Sequence, residues 1–85
     1  MADTAYTLPV RLEPLEGGWY LAVCDTIQGC HAEGETVAEA LENIEDVARV
    51  LIELCLEDDH PLPEDLHRTL PQRIRAQLIE DLDGA

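Results

Sequence analysis

The stretch YLAVCDTIQGCHAEGETVAEAL, residues 20–41, carries the clearest signals for secondary structure in this chain. It starts with an apolar run, passes through a turn that contains glycine and a second short run, and ends with Thr36 followed by Glu39. This last spacing is that of a capping box, in which the hydroxyl and the carboxylate each accept a hydrogen bond from an unpaired backbone amide at a helix start. The stretch therefore predicts a strand, a turn, a strand and a helix, in that order.

A long amphipathic helix is predicted from residue 36 to about residue 57. Its apolar positions recur at helical spacing, and most acidic residues fall on the opposite face. The apolar positions are Val37, Ala40, Leu41, Ile44, Val47, Ala48, Leu51, Ile52 and Cys55. Pro61 and Pro63 follow, and the helix ends before them because proline cannot continue it.

Three strands are predicted before this helix. Residues 6–12 alternate, with Tyr6, Leu8 and Val10 on one face. Pro9 has no amide to donate, so this strand is at an edge there or that position faces outward. A glycine turn leads to a second alternating run, Trp19, Leu21 and Val23, and a third strand fits residues 29–33. The result is an α+β fold: a three-stranded antiparallel meander whose apolar face is covered by the helix.

The tail allows two interpretations. Leucine or isoleucine recurs every four residues at Leu66, Leu70, Ile74, Leu78 and Leu82. With Pro71 at a favourable first position, this predicts a short helix over about 71–82. The alternative is a fourth strand near residues 66–70. In either case residues 1–65 form the domain, and residues 66–85 extend it.

The charge excludes some partners and favours others. The net charge is −14 and the chain has no lysine, so its surface opposes direct contact with nucleic acid. A basic protein would be attracted to it, although solubility alone also explains such a charge. The three cysteines form no C-x-x-C pair, and no signal peptide or membrane-crossing run is present, which predicts a cytoplasmic location.

Residues with reactive side chains are also read as structural. Cys24, Cys30 and His31 could ligate zinc, with a fourth ligand from Cys55, His60 or His67. However, neighbouring strand residues point to opposite faces, which predicts Cys30 buried under the helix and His31 exposed. The same geometry argues against a Cys-His nucleophilic pair. We expect no metal, cofactor or catalytic residue.

Two glycines, Gly29 and Gly34, are predicted to turn the chain with positive φ before and after the third strand. The first would lead into the strand, and the second would lead out toward the Thr36 cap. They do not form a phosphate-binding loop, because the lysine of that motif is absent.

The chain resembles the HicB-type antitoxins, whose domain is a partial RNase H-like fold. The family pattern P-x-x-x-G-C-x-x-x-G-x-T-x-x-E-A is matched by DTIQGCHAEGETVAEA, residues 25–40, between the glycine hairpin and the PLP at residues 61–63. Asp25 stands where relatives often carry proline. Residues after Glu64 are too few for the helix-turn-helix that many relatives carry.

The resemblance implies that the protein binds and neutralises a small basic HicA-type toxin that cleaves messenger RNA. We expect the contact at the acidic helix face and around the second turn, at Asp25, Gln28, Glu42, Glu45 and Asp46. Exposed strand edges also predict a homodimer or a higher homo-oligomer.

Two other functions are weighed against this one. One is a stand-alone acidic oligomer without a toxin. The other is a metal-dependent nuclease that uses Glu13, Asp25 and Glu33, since RNase H-like enzymes hold divalent metals with carboxylates. Three carboxylates among nineteen acidic residues form no signature, so we do not expect an enzyme.

Overall fold

A computed structural model describes residues 5–58, 71 and 73–79 of the chain. In chain order the elements are β1 (Ala5–Pro14), a single 3-10 turn (Glu16–Gly18), β2 (Tyr20–Cys24), β3 (Cys30–Gly34), α1 (Val37–Asp58) and β4 (Arg73–Leu78). The strands form one mixed sheet in the order β3-β2-β1-β4. The predicted α+β fold, a small sheet covered by one long helix, is confirmed.

The meander and the crossover give the sheet its order. β1 pairs with β2, and β2 with β3, both antiparallel, whereas β4 lies parallel to β1. β3 and β4 are therefore parallel to each other and occupy the two edges. α1 connects these edges over one face of the sheet, as crossover helices do.

The core lies between α1 and the even-numbered residues of the strands. On the sheet side it holds Leu8, Val10, Ala22, Cys24, Cys30 and Ile74, and on the helix side Ala40, Ile44, Ala48 and Ile52. Ile27 of the second turn joins it. Apart from Tyr6, the buried hydrophobic residues that the structure describes are aliphatic or cysteine.

The inward face of β2 differs from the pattern read in the sequence. Trp19, Leu21 and Val23 alternate, but Trp19 is 41% exposed and the buried members of the strand are Ala22 and Cys24. Both faces of β2 are apolar, so alternation could not decide between them. The pairing of Ala22 with Leu12 and Ala32 places the even-numbered face under the helix.

Pro9 lies where one side of β1 has no neighbouring strand. The Val10 carbonyl accepts a hydrogen bond from the Ile79 amide at 3.0 Å, so residue 10 points toward β4 and Pro9 points the other way. On that other side, β2 pairs only with Arg11 to Pro14. The missing amide of Pro9 therefore costs no ladder hydrogen bond, as expected.

The predicted C-terminal helix is wrong, because residues 73–78 form β4. Ile74 is buried against the core, and the neighbouring arginines point outward. Ile74 and Leu78 are four residues apart, a spacing that suits two full strand periods as well as one helical turn. Pairing with β1 decides the matter. The alternative strand near 66–70 lies outside the described residues, as does the PLP segment.

Candidate partner-binding surfaces

The start of α1 is held by the predicted pair of side chains. The Thr36 hydroxyl accepts a hydrogen bond from the Glu39 amide at 3.0 Å. The Glu39 carboxylate accepts one from the amide of Glu35 at 2.6 Å, one residue earlier than in the usual capping box. Thr36 and Glu39 thus have structural roles that set where the helix begins.

Gly29 and Gly34 are required for different reasons. Gly29 has φ +80° and is the third residue of a turn closed by a 3.1 Å bond from the Cys30 amide to the Ile27 carbonyl. Gly34 does not have positive φ, contrary to our expectation. A Cβ on Gly34 would instead lie 2.8 Å from the Cα of Ala40, so glycine allows α1 to approach β3 closely.

Two polar side chains of α1 reach the two edges of the sheet. The side-chain amide of Asn43 donates a hydrogen bond to the backbone carbonyl of Glu33 on β3 at 2.8 Å. The Glu45 carboxylate accepts from the Ala76 amide of β4 at 2.7 Å. Both strand groups point away from the neighbouring strand, because adjacent residues of a ladder alternate in direction. The helix therefore covers part of each edge, a common protection against edge-to-edge pairing.

The outer face of α1 carries most of the predicted contact residues. Glu42 and Asp46 are exposed, whereas Glu45 is half-buried and bonded to β4. Glu45 and Asp46 also line a depression of about 310 Å³ beside β4, which includes the arginines Arg49, Arg73 and Arg75. The acidic face is thus partly balanced by arginine on the β4 side.

Asp25 and Gln28 lie on a different surface, at the second turn. They border a groove of about 490 Å³ that Leu21, Val23 and His31 also line. This groove opens at the β2–β3 end of the sheet, so the structure does not unite it with the acidic face of α1. The predicted contact residues form two separate surfaces.

An arginine bridges two of the three carboxylates that were candidates for metal binding. Arg11 donates to Asp25 at 2.9 and 3.2 Å and to Glu13 at 3.0 Å. Hydrogen bonding to Arg11 lowers the pKa of Asp25 below its usual range, and the same bonds raise the pKa of Arg11. Glu33 lies two strands away, in register with Leu21, which pairs with Glu13. The guanidinium is thus hydrogen-bonded to both carboxylate oxygens of Asp25 and to one of Glu13.

The reactive residues of the opening stretch are divided by the sheet. Cys24 and Cys30 pair across β2 and β3 and are buried, whereas His31 is exposed on the opposite face, as predicted. The hydrogen bond between the two thiols lowers the pKa of Cys24, and hydrogen bonds to Thr26 lower it further. The same thiol–thiol bond, together with burial, raises the pKa of Cys30.

Among residues 5–58, 71 and 73–79, no group of three or more His, Cys, Asp and Glu side chains could hold a metal ion. Cys55 is half-buried on α1. The remaining candidate zinc ligands, His60 and His67, lie outside the described residues.

Comparison with known proteins places the chain in a family. It is 35% identical to UPF0150 protein ssr1765 of Synechocystis sp. over 60 residues, which cover 71% of this chain and 76% of that protein. It is 36% identical over 59 residues to UPF0150 protein ssl0738 of the same organism, covering 68% and 82%. The chain belongs to the UPF0150 family. No family model matches the sequence, and no solved structure does.

Within this UPF0150 chain, sequence reasoning missed both contacts between α1 and the sheet edges. Neither Asn43 nor Glu45 has a local partner that a spacing rule could reveal, because their partners are ten and thirty-one residues away. It also missed the Arg11 bridge, which joins Glu13 of β1 to Asp25 in the turn after β2.

No helix in the described part of this UPF0150 protein is long and apolar enough to span a membrane.

Proposed function

We propose that this UPF0150 protein is a HicB-like antitoxin that neutralises a small basic HicA-type, mRNA-cleaving toxin by direct protein–protein contact. The observation that carries the proposal is the run of carboxylates along the solvent face of α1. Glu39, Glu42, Asp46, Glu53 and Glu57 are all exposed there. A surface with this charge attracts a basic partner and lowers its access to an RNA phosphate backbone.

Three further features support a binding role rather than an enzymatic one. The net charge of −14 opposes RNA as a substrate. Arg11 bridges two of the three carboxylates that a nuclease would need. The match to the HicB pattern includes residues whose role here is structural, among them Gly29, Gly34 and Thr36. The proposal includes a cytoplasmic location, where such a toxin would meet messenger RNA, and self-association as a homodimer or larger oligomer.

The test is to look for a small basic protein encoded beside this gene and to co-express it with this chain. We expect the pair to co-purify and the antitoxin to restore growth that the toxin stops. If no such neighbour exists, or if its product neither harms growth nor binds this chain, the proposed function is rejected.

A matched pair of variants locates the contact. Glu42→Lys with Glu53→Lys reverses two charges on the outer face of α1, and Glu16→Lys with Glu33→Lys reverses two exposed charges elsewhere. Both doubles change the net charge equally. We expect only the double variant on α1 to lose growth rescue and binding. An equal loss in both double variants would mean that the toxin responds to net charge and not to a contact on α1.

A further inference from the structure

We propose that the C-terminal half of α1 carries the docking site for a basic amphipathic helix, a proposal that rests on the proposed function and specifies its contact surface. The site is an apolar ledge formed by Val47, Val50, Leu51 and Leu54. Val50 is 54% exposed and Leu54 48%, whereas Val47 and Leu51 are half-buried beside the core.

The ledge follows from positions on one helix. Residues three and four apart are neighbours on a helix surface. The neighbours of Val50 by this rule are Asp46, Val47, Glu53 and Leu54. By the same rule the neighbours of Leu54 are Val50, Leu51, Glu57 and Asp58. Each of the two exposed apolar side chains therefore has two apolar and two acidic neighbours.

Its place on α1 separates the ledge from the arginines. Asn43 lies on the same side of α1 as the ledge, four residues before Val47, and its side chain donates a hydrogen bond to β3. Glu45 lies on the other flank and bonds to β4, where Arg49 and Arg73 line the neighbouring depression. The ledge is therefore on the β3 flank, where the positions three and four residues from Val50 and Leu54 include acids and no base.

Charge selects the occupant. A second copy of this chain, docked ledge to ledge, would bring Glu53 and Glu57 close to identical carboxylates, and such contacts disfavour a partner. An anionic lipid surface would be repelled in the same way. A helix with one apolar face and flanking lysine or arginine would cover Val50 and Leu54 and place its cations against the carboxylates, which is the usual arrangement for helix-in-groove recognition.

The probe is a synthetic helix-forming peptide with leucine along one face and lysine elsewhere. A scrambled peptide of the same composition is the control for simple charge attraction. Titration calorimetry with the full chain at two salt concentrations should show tighter binding of the amphipathic peptide, with a salt-dependent part contributed by the carboxylates.

Two matched double variants test the ledge itself. Val50→Gln with Leu54→Gln removes its exposed apolar groups, and Trp19→Gln with Leu78→Gln removes apolar groups exposed elsewhere, at 41% and 45%. We expect the first to weaken peptide binding by about tenfold, equivalent to about 1.4 kcal/mol. The second should leave it unchanged. Circular dichroism of both variants should show that they are folded.

A third double, Glu53→Gln with Glu57→Gln, keeps the apolar groups and should abolish most of the salt dependence. Equal weakening by the ledge and control doubles, or equal binding of the scrambled peptide, would overturn the proposal. It would also fail if sedimentation equilibrium showed a dimer that only the ledge double dissociates, because the occupant would then be a second copy.

These results are separable from those of the proposed function. If the ledge double neutralises the toxin undiminished, the ledge is wrong and the antitoxin function stands. If the peptide binds as expected but no toxin is neutralised, the ledge stands and the antitoxin function is rejected.

Discussion

Replacing Gly34 by alanine tests whether close contact between β3 and α1 is what requires glycine there. The new Cβ would lie 2.8 Å from both the Ala40 Cα and the carbonyl carbon of Glu39. These are backbone atoms of the first helical turn, so no side chain can rotate to make room. Overpacking costs roughly 1–3 kcal/mol, and we expect about 3 kcal/mol here because the helix start itself must shift.

Gly29 provides the matched control. Its φ of +80° is strained for alanine, but nothing lies within 4 Å of an added Cβ. Gly29→Ala should therefore cost about 1–2 kcal/mol from backbone conformation alone. Among residues other than glycine, asparagine is one of the most tolerant of positive φ, so Gly29→Asn should be less destabilising than Gly29→Ala. At residue 34, asparagine should be at least as damaging as alanine.

The assay is urea unfolding of the four variants and the wild type, followed by far-UV circular dichroism. A chain of this length has a free energy of unfolding of about 4–13 kcal/mol, so a loss of about 3 kcal/mol is a large shift of the midpoint. The reasoning would be refuted if Gly34→Ala were no more destabilising than Gly29→Ala, or if asparagine relieved the cost at residue 34.

Three further predictions concern polar contacts. Thr36→Ala should lower the free energy of unfolding by about 1 kcal/mol in the same assay, because α1 loses its cap; no change would show that the cap contributes nothing. The pKa of Asp25 is lowered by Arg11, so this pair stabilises the fold above about pH 4 and the contribution is lost as the pH falls further. Asp25→Asn should remove that part of the pH dependence of the unfolding midpoint, and an unaltered acid profile would contradict it. Glu45→Ala should speed hydrogen exchange at the Ala76 amide, measured by NMR, since its charged acceptor is removed; unchanged exchange would mean that water or another group replaces it.

The helix contacts with both sheet edges have a consequence for assembly. Asn43 and Glu45 each occupy one backbone group of an edge strand, on β3 and β4 respectively. Additional strands are therefore less readily added at these positions than the exposed edges predicted from sequence would allow. Self-association through paired strands remains a prediction. Substitution of Asn43 and Glu45 is the way to test it, because these side chains bind the edge strands.

The local features of this protein follow from its amino-acid sequence. The cap at Thr36, the long amphipathic helix, the turn at Gly29 and the first strand all depend on neighbours a few residues away, where spacing and backbone preference suffice. Even the burial of Cys30 and the exposure of His31 follow from strand alternation.

Features that depend on pairing between distant residues required the three-dimensional structure. The inward face of β2 needed its register with β1 and β3, because Leu21 and Ala22 are both apolar. The tail needed β1, since the spacing of Ile74 and Leu78 suits a strand and a helix equally. The division of the contact residues between the groove at Asp25 and the face of α1 likewise arises from which side of the sheet each element occupies, and no local pattern records that side.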